Sequence, residues 1–251
     1  ARNFSTASAF SGLAAAASLA VSPWHLQFSR GAREASFITL AVTLLALCLA
    51  KGFREARDLT TPVSRGVAVA WAIGAALASL LAIYSYPGGL VFVPLMVTGW
   101  AWSWRARLRA VVLAVAVAIV VAAVGAIPLA RQLLDGRIGA RFAQASILND
   151  PTLYETASRR ISRDVDVGVP WIADHPYVLA ARTAVDAYIG HFNPTFLFTS
   201  GDAQPRHHGI DSGQLYLWDS LPILAGIATI LHRRRSPAHA AVGIWLLVGP
   251  V

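Results

Sequence analysis

Three stretches of the chain gather polar side chains of the kind that hold a charged or hydroxylated ligand. The first is Ser22-Pro23-Trp24-His25-Leu26-Gln27-Phe28-Ser29-Arg30, and the second is Tyr84-Ser85-Tyr86-Pro87. The third runs from His191-Phe192-Asn193-Pro194 through Phe196-Leu197-Phe198, Gly201-Asp202 and Pro205-Arg206-His207-His208 to Gly213-Gln214. Arg30 and Arg206 are cations of the first and third stretches. His25, Tyr86, His191, His207 and Gln214 carry the donors and acceptors needed to line a pocket. Asp202 lies in the third stretch and Asp219 near the start of the apolar run that follows; both are candidate catalytic acids. Structural roles compete with each assignment. Trp24, His25, Tyr84 and Tyr86 also suit an aromatic belt at the headgroup level. Arg30 also suits snorkelling to lipid phosphates, and Asp219 suits a membrane interface. Adjacent His207 and His208 do not face one site on a helix, and no second pair has metal-ligand spacing, so no metal is assigned. No cofactor is evident; a divalent ion is compatible with phosphate chemistry but nothing in the sequence indicates one.

The elements that must position these groups are set by composition. The chain has 251 residues, of which 56% are hydrophobic and 14% charged. Ordinary soluble domains carry roughly 25% charged residues. Too few charges remain to solvate a surface, which excludes a disordered, fibrous or ordinary soluble protein. The expectation is an all-α polytopic membrane protein, since a bilayer core takes about 20 apolar residues per helix.

Uncharged runs mark the spans: Ala7–Val21, Ala35–Ala50, Gly66–Trp104, Ala110–Ala130, Leu215–Leu231 and the start of another at Ala240–Val251. Gly66–Trp104 is long enough to cross twice. Pro87-Gly88-Gly89 at its centre breaks a helix, so it reads as a helical hairpin. The total is six to seven spans. Residues 1–130 form a five-span region, 131–213 a large loop region and 214–251 two further spans, the last cut short. Within the loop, Arg131–Ser146 reads as a short amphipathic helix, and Pro151–Ile161 and Pro176–Ile189 as helices opened by proline.

The intervening loops alternate in charge. Lys51, Arg54, Arg57 and Arg65, then Arg105, Arg107 and Arg109, then Arg233, Arg234 and Arg235 fall on one side. Short basic loops mark the cytoplasmic side, and all three fall together once seven spans are assumed. The three chemical stretches then share the extracytoplasmic side with the large loop. The net charge of +8 is divided between two faces, so it forms no continuous patch for nucleic acid. Cys48 is the sole cysteine, which excludes an intrachain disulfide.

Ser22-Pro23-Trp24-His25 with Phe28-Ser29-Arg30, then Tyr84-Ser85-Tyr86-Pro87 with Phe92-Val93-Pro94-Leu95, resemble the middle of bacterial membrane glycosyltransferases. The family is glycosyltransferase family 39, with the dolichyl-phosphate-mannose protein mannosyltransferases and their aminoarabinose-transferase relatives. The stretch from His191 through Phe196-Leu197-Phe198, Gly201-Asp202, Pro205-Arg206-His207 and Gly213-Gln214-Leu215-Tyr216-Leu217 is similar to that family's signature after its large periplasmic loop. The resemblance implies a GT-C fold and an inverting transfer. The sugar would pass from a polyprenyl-phosphate donor to a protein, lipid or glycan acceptor on the extracytoplasmic face. It also implies that Arg30 and Arg206 hold the donor phosphate.

One departure bears on catalysis. The family's acidic motif lies in a first extracytoplasmic loop, and no acidic pair stands near an early span here; Asp164-Val165-Asp166 lies late and does not match. Met96 is the sole Met and the apolar run after Gly243 is cut by the chain end, so the sequence reads as an internal piece that carries the binding frame without the base. A transporter or flippase for lipid-linked or anionic substrates is the alternative, but it calls for ionisable groups and broken helices at mid-bilayer. The spans here are nearly charge-free. A non-catalytic membrane scaffold with a partner-binding loop is the third reading.

Overall fold

The computed structural model describes residues 6–30, 34–55, 62–103, 105, 112–136, 147–165, 174–202, 212–233 and 237–249. Among them every regular element is helical and none is a strand. The order is α1 (Thr6–Val21), α2 (Pro23–Arg30), α3 (Glu34–Glu55), α4 (Pro62–Ser85), α5 (Gly89–Ser103) and α6 (Val112–Leu134). A 3-10 turn at Ile147–Asn149 precedes α7 (Pro151–Val165), α8 (Pro176–Gly190) and α9 (Pro194–Phe198). A second 3-10 turn at Leu217–Asp219 leads into α10 (Ser220–His232), and α11 (Pro237–Val248) closes the series. Proline opens α2, α4, α7, α8, α9 and α11, where its fixed φ favours the first turn and its missing N–H costs nothing.

Two compact units result: Ala1–Ala122 with Asn193–Val251, and Ala123–Phe192. The first is organised around α3 and α4. Ala41, Val42, Leu45 and Cys48 of α3 and Ala75, Ala78 and Ala82 of α4 are buried in one core. Close approaches give the direction. A Cβ on Gly74 would lie 2.9 Å from Cys48 Sγ, and one on Gly52 would lie 3.4 Å from Trp71 Cβ. Position rises along α3 as it falls along α4, so the two helices are antiparallel. The start of α3 therefore stands beside the end of α4.

The same reasoning extends through the unit. α5 reverses after Pro87-Gly88-Gly89 and adds Phe92, Val93, Met96 and Trp100 to the core. Gly89 allows that turn, since a Cβ there would sit 2.5 Å from Ala82 O. α11 lies against α5: Trp100 Nε1–H donates to Ala241 O at 3.1 Å, and a Cβ on Gly99 would strike Ile244 Cγ2 at 2.6 Å. α10 packs on α11, with Ile230 Cγ2 3.3 Å from where a Cβ of Gly243 would be. The unit thus has two unlike ends. Residues 22–30, the Tyr84–Gly89 turn and residues 212–220 share one. Lys51, Arg65, Arg105 and Arg233 share the other.

Two helices are long and apolar enough to cross a membrane, Ser64–Ser85 and Val112–Gln132. Only 28% and 6% of their most apolar windows are buried, whereas a core helix of a water-soluble domain is mostly buried. Phe10–Val21, Phe37–Phe53, Gly89–Ser103, Leu217–His232 and His239–Val248 are apolar but shorter. The structure therefore gives two helices of crossing length rather than the six to seven spans read from the sequence.

Other boundaries also move. Residues 23–30 form a two-turn helix, α2, rather than part of a loop between spans. Arg131–Leu134 completes α6 instead of beginning a separate amphipathic helix, because the hydrogen-bonded ladder carries on past Arg131, the charge that ends the uncharged run. Residues 137–146 of that expected helix lie outside the described residues. The helix expected from Leu215 begins at Ser220, after the Leu217–Asp219 turn.

In the second unit α7 and α8 bury Leu153, Ala157, Leu179 and Ala180 against each other, with Ile147 alongside. Arg160 on α7 stands 3.8 Å from the buried carboxylate of Asp174, just before α8. Asp150 caps α7: its Oδ1 accepts from the Thr152 hydroxyl at 2.7 Å and from the Thr152 N–H at 2.9 Å. Those two hydrogen bonds, the hydroxyl first, hold the Asp150 carboxyl below its ordinary value. A carboxyl depressed on folding contributes fully above its unfolded value of about 3.9, and the contribution is lost as pH falls through the lower folded value. Protection of the Thr152 and Leu153 amides against hydrogen exchange is therefore expected to fall in that acid range. Asp150→Asn should keep the cap and remove the pH dependence; Asp150→Ala should lose protection at every pH.

Candidate functional site

The first and third chemical stretches meet through the main chain. The Trp24 N–H donates to the carbonyl of Gln214 at 3.2 Å, and the Ser22 hydroxyl approaches the same oxygen at 3.5 Å. Ser22 and Gln214 are buried, at 5% and 7% exposure, although polar residues at such burial are uncommon unless they are paired. Ser22 sits at the junction where α1 gives way to α2, and its own carbonyl accepts from the Leu26 N–H at 2.9 Å.

The strand-like segment at 213–215 is held from its other side by α9. The Leu215 N–H donates to Leu197 O at 2.8 Å and the Gln214 N–H to Phe196 O at 3.5 Å. α9 is short and is fixed at its start by Asn193, whose Oδ1 accepts from the Thr195 N–H at 2.9 Å. Only glycine fits at 213: a Cβ would lie 2.4 Å from the Phe198 carbonyl carbon and 2.5 Å from Leu197 O. The result is a three-layered knot of main chain, α2 against 213–215 against α9, with the Gln214 side chain enclosed. Gln214 Oε1 is buried without a hydrogen-bond partner. An unpaired buried amide oxygen costs about 1–3 kcal/mol, and groups of this kind concentrate at binding sites.

The other assigned residues distribute as follows. His25 is half-buried on α2, beside the Trp24–Phe28 ring pair with centroids 5.2 Å apart. Arg30 is exposed in the last turn of α2, where its charge also opposes the partial charge of the C-terminal carbonyls. Tyr86 is exposed just after α4, at the same end of the unit, and its ring lies over Gly88. Asp202 follows α9 and is half-buried. Asp219 Oδ2 accepts from the Tyr216 N–H at 3.0 Å, which gives this acid a structural task in the turn before α10. His191 belongs to the second unit and ends α8, its Nδ1 2.7 Å from Ala187 O. Arg206 and His207 lie outside the described residues. No group of three or more His, Cys, Asp or Glu is placed to hold a metal among the described residues.

Comparison of the chain with protein-family models, with curated proteins and with solved structures finds no match. Sequence reasoning named Gln214 but missed Ser22 and Gly213 as the residues that seat it. A glycine directly before a polar residue and after a proline-containing stretch was the available signal for a close backbone approach. Gly213→Ala is expected to open the knot. Hydrogen exchange at the Trp24 and Leu215 amides should accelerate at least tenfold, while exchange at Trp100 and the α3–α4 core stays as it was. Unchanged exchange at Leu215 would show that this segment is not held by α9.

Proposed function

We propose that the chain works as a multi-pass glycosyltransferase of the bacterial inner membrane, of GT-C type, taking a sugar from a polyprenyl-phosphate donor. The observation that carries the reading is the main-chain union of residues 22–24 with 213–215 at the end of the unit opposite Lys51, Arg65 and Arg105. Two of the three stretches that resemble family 39 enzymes are separated by nearly the whole chain, yet are neighbours in space. The third, at Tyr84–Pro87, stands at the same end. A shared polar end above an apolar bundle is what a lipid-linked sugar requires: hydrocarbon contact for the tail and hydrogen-bonding groups at the membrane surface.

The chemistry places specific demands on that end. In the transfer, the acceptor hydroxyl oxygen bonds to the sugar's anomeric carbon and its proton passes to a base. The bond from that carbon to the phosphate oxygen breaks, and the lipid phosphate leaves with the electron pair. Charge grows on the phosphate as the bond breaks, so cations there stabilise the transition state more than the ground state. Arg30 is assigned to that phosphate, with Arg206 as its sequence-assigned partner. His25, Tyr86 and Gln214 line the sugar and acceptor side, and His191 and His207 are assigned there by the same resemblance. The enclosed Gln214 oxygen is an acceptor already stripped of water, suited to a hydroxyl of the sugar.

Photolabelling in proteoliposomes tests the donor assignment without requiring turnover. A photoreactive polyprenyl-phosphate sugar should label the chain, and Arg30→Ala should lower labelling about tenfold, as expected for loss of a charge-assisted hydrogen bond. Arg159→Ala, which removes an exposed i,i+4 pair with Glu155, should leave labelling unchanged. Equal labelling of Arg30→Ala and the unaltered chain would remove Arg30 from the phosphate site.

A further inference from the structure

Away from the polar end, α3, α4, α5 and α6 enclose an apolar cleft of about 250 Å³. Its walls are largely alanine. Ala68, Ala72 and Ala76 of α4 and Ala114, Ala118 and Ala122 of α6 recur every four residues, so each set forms one stripe along its helix. Trp71 lines it as well, as do Gly52 and Phe53 near the end of α3. The sole hydroxyl on the lining, that of Ser79, is already donated to Ala75 O at 2.8 Å. Such a space offers water no partners, and an engineered apolar cavity of about 150 Å³ already takes up benzene.

The position of the cleft decides its occupant. Its lining comes from the second half of α3, the middle of α4 and the first half of α6, so it runs from the middle of the bundle toward the basic end of the unit. Among the described side chains three cations stand within one helical turn of a lining residue, with the acid Glu55 beside them. Lys51 directly precedes Gly52, Arg65 stands one turn before Ala68, and Arg105 one turn after Ala101. Arg105 is held in place over the Trp102 ring at 4.9 Å and donates to Trp102 O at 3.2 Å. An apolar slot with a cationic rim matches a molecule that is anionic at one end and hydrocarbon at the other. The donor assigned to the opposite end shares that chemistry but is not the occupant, because its phosphate would lie at the other end of the helices.

We propose that this cleft is a binding site for an anionic phospholipid of the leaflet at the basic end. An acyl chain lies between α4 and α6, and the headgroup phosphate rests at Lys51, Arg65 and Arg105. The site rests on the membrane-spanning reading given above. Basic pockets between membrane helices hold anionic headgroups by the same electrostatics.

Trp71 provides a reporter inside the cleft. The chain is reconstituted into phosphatidylcholine vesicles containing a small fraction of lipid with brominated acyl chains, as either phosphatidylglycerol or phosphatidylcholine. The difference in quenching between the unaltered chain and Trp71→Phe isolates the cleft tryptophan. Brominated phosphatidylglycerol should half-quench Trp71 at a mole fraction at least fivefold lower than brominated phosphatidylcholine. Lys51→Gln with Arg65→Gln, changes outside the packed core, should abolish that preference. Ala118→Phe, which fills the slot, should remove quenching of Trp71 by both lipids. Equal quenching by the two headgroups in the unaltered chain overturns the anionic-lipid site while leaving the membrane reading intact. Failure of either lipid to quench any tryptophan overturns both.

Discussion

Everything in the first unit is aligned by the contact between α3 and α4. The seam is built from residues with little or no side chain, Ala41, Ala75, Ala78, Ala82 and Gly74, with Leu45 and Cys48 filling between them. Small residues let two helix backbones approach closely, and in an apolar surround such packing, not exclusion of water, is the force that joins helices. A single antiparallel seam then fixes a sense of direction. The turn after α4, the start of α3 and the preceding α2 fall at one end, and the loop between α3 and α4 falls at the other. α5 and α11 inherit that direction through Trp100 and Ala241.

This polarity converts a pattern of charges into a pattern of ends. Basic residues collect where α3 stops and α4 starts, and polar residues without a strong charge bias collect where α4 stops and α5 starts. The two candidate sites follow from that division. At the polar end a main-chain knot encloses Ser22 and Gln214, groups that need hydrogen-bond partners. At the basic end an alanine-lined cleft has nothing to offer but dispersion contacts, with cations at its mouth.

The sequence makes some of this plain and hides the rest for physical reasons. Uncharged runs foretold α1, α3, α4, α5 and α6, since backbone groups lacking water must bond within a helix. Pro87-Gly88-Gly89 foretold the reversal between α4 and α5, and the prolines at 151 and 176 foretold α7 and α8. α2 was read as loop because its polar residues interrupt hydropathy, although Ser22-Pro23 is a good helix start. The extension of α6 through Leu134 was missed because polarity changes there while the ladder does not. The union of Trp24 with Gln214 joins positions 190 apart, and no local pattern reports such a contact. The cleft was foreshadowed only by the alanines spaced four apart on α4 and α6, a pattern as well suited to close packing as to a cavity. Crossing length is likewise not legible in uncharged runs alone: among the described residues only α4 and α6 hold helical windows long enough, and the other apolar helices are shorter.

The claim on which both sites depend is that the polar and basic ends face opposite sides of a membrane. In a Cys48→Ala background, single cysteines at Tyr86 and at Arg105 can be challenged with a membrane-impermeant thiol reagent in sealed vesicles of known orientation. The account predicts that cysteine at 86 reacts from the extracytoplasmic side only, and cysteine at 105 from the cytoplasmic side only. Reaction of both from the same side would contradict it.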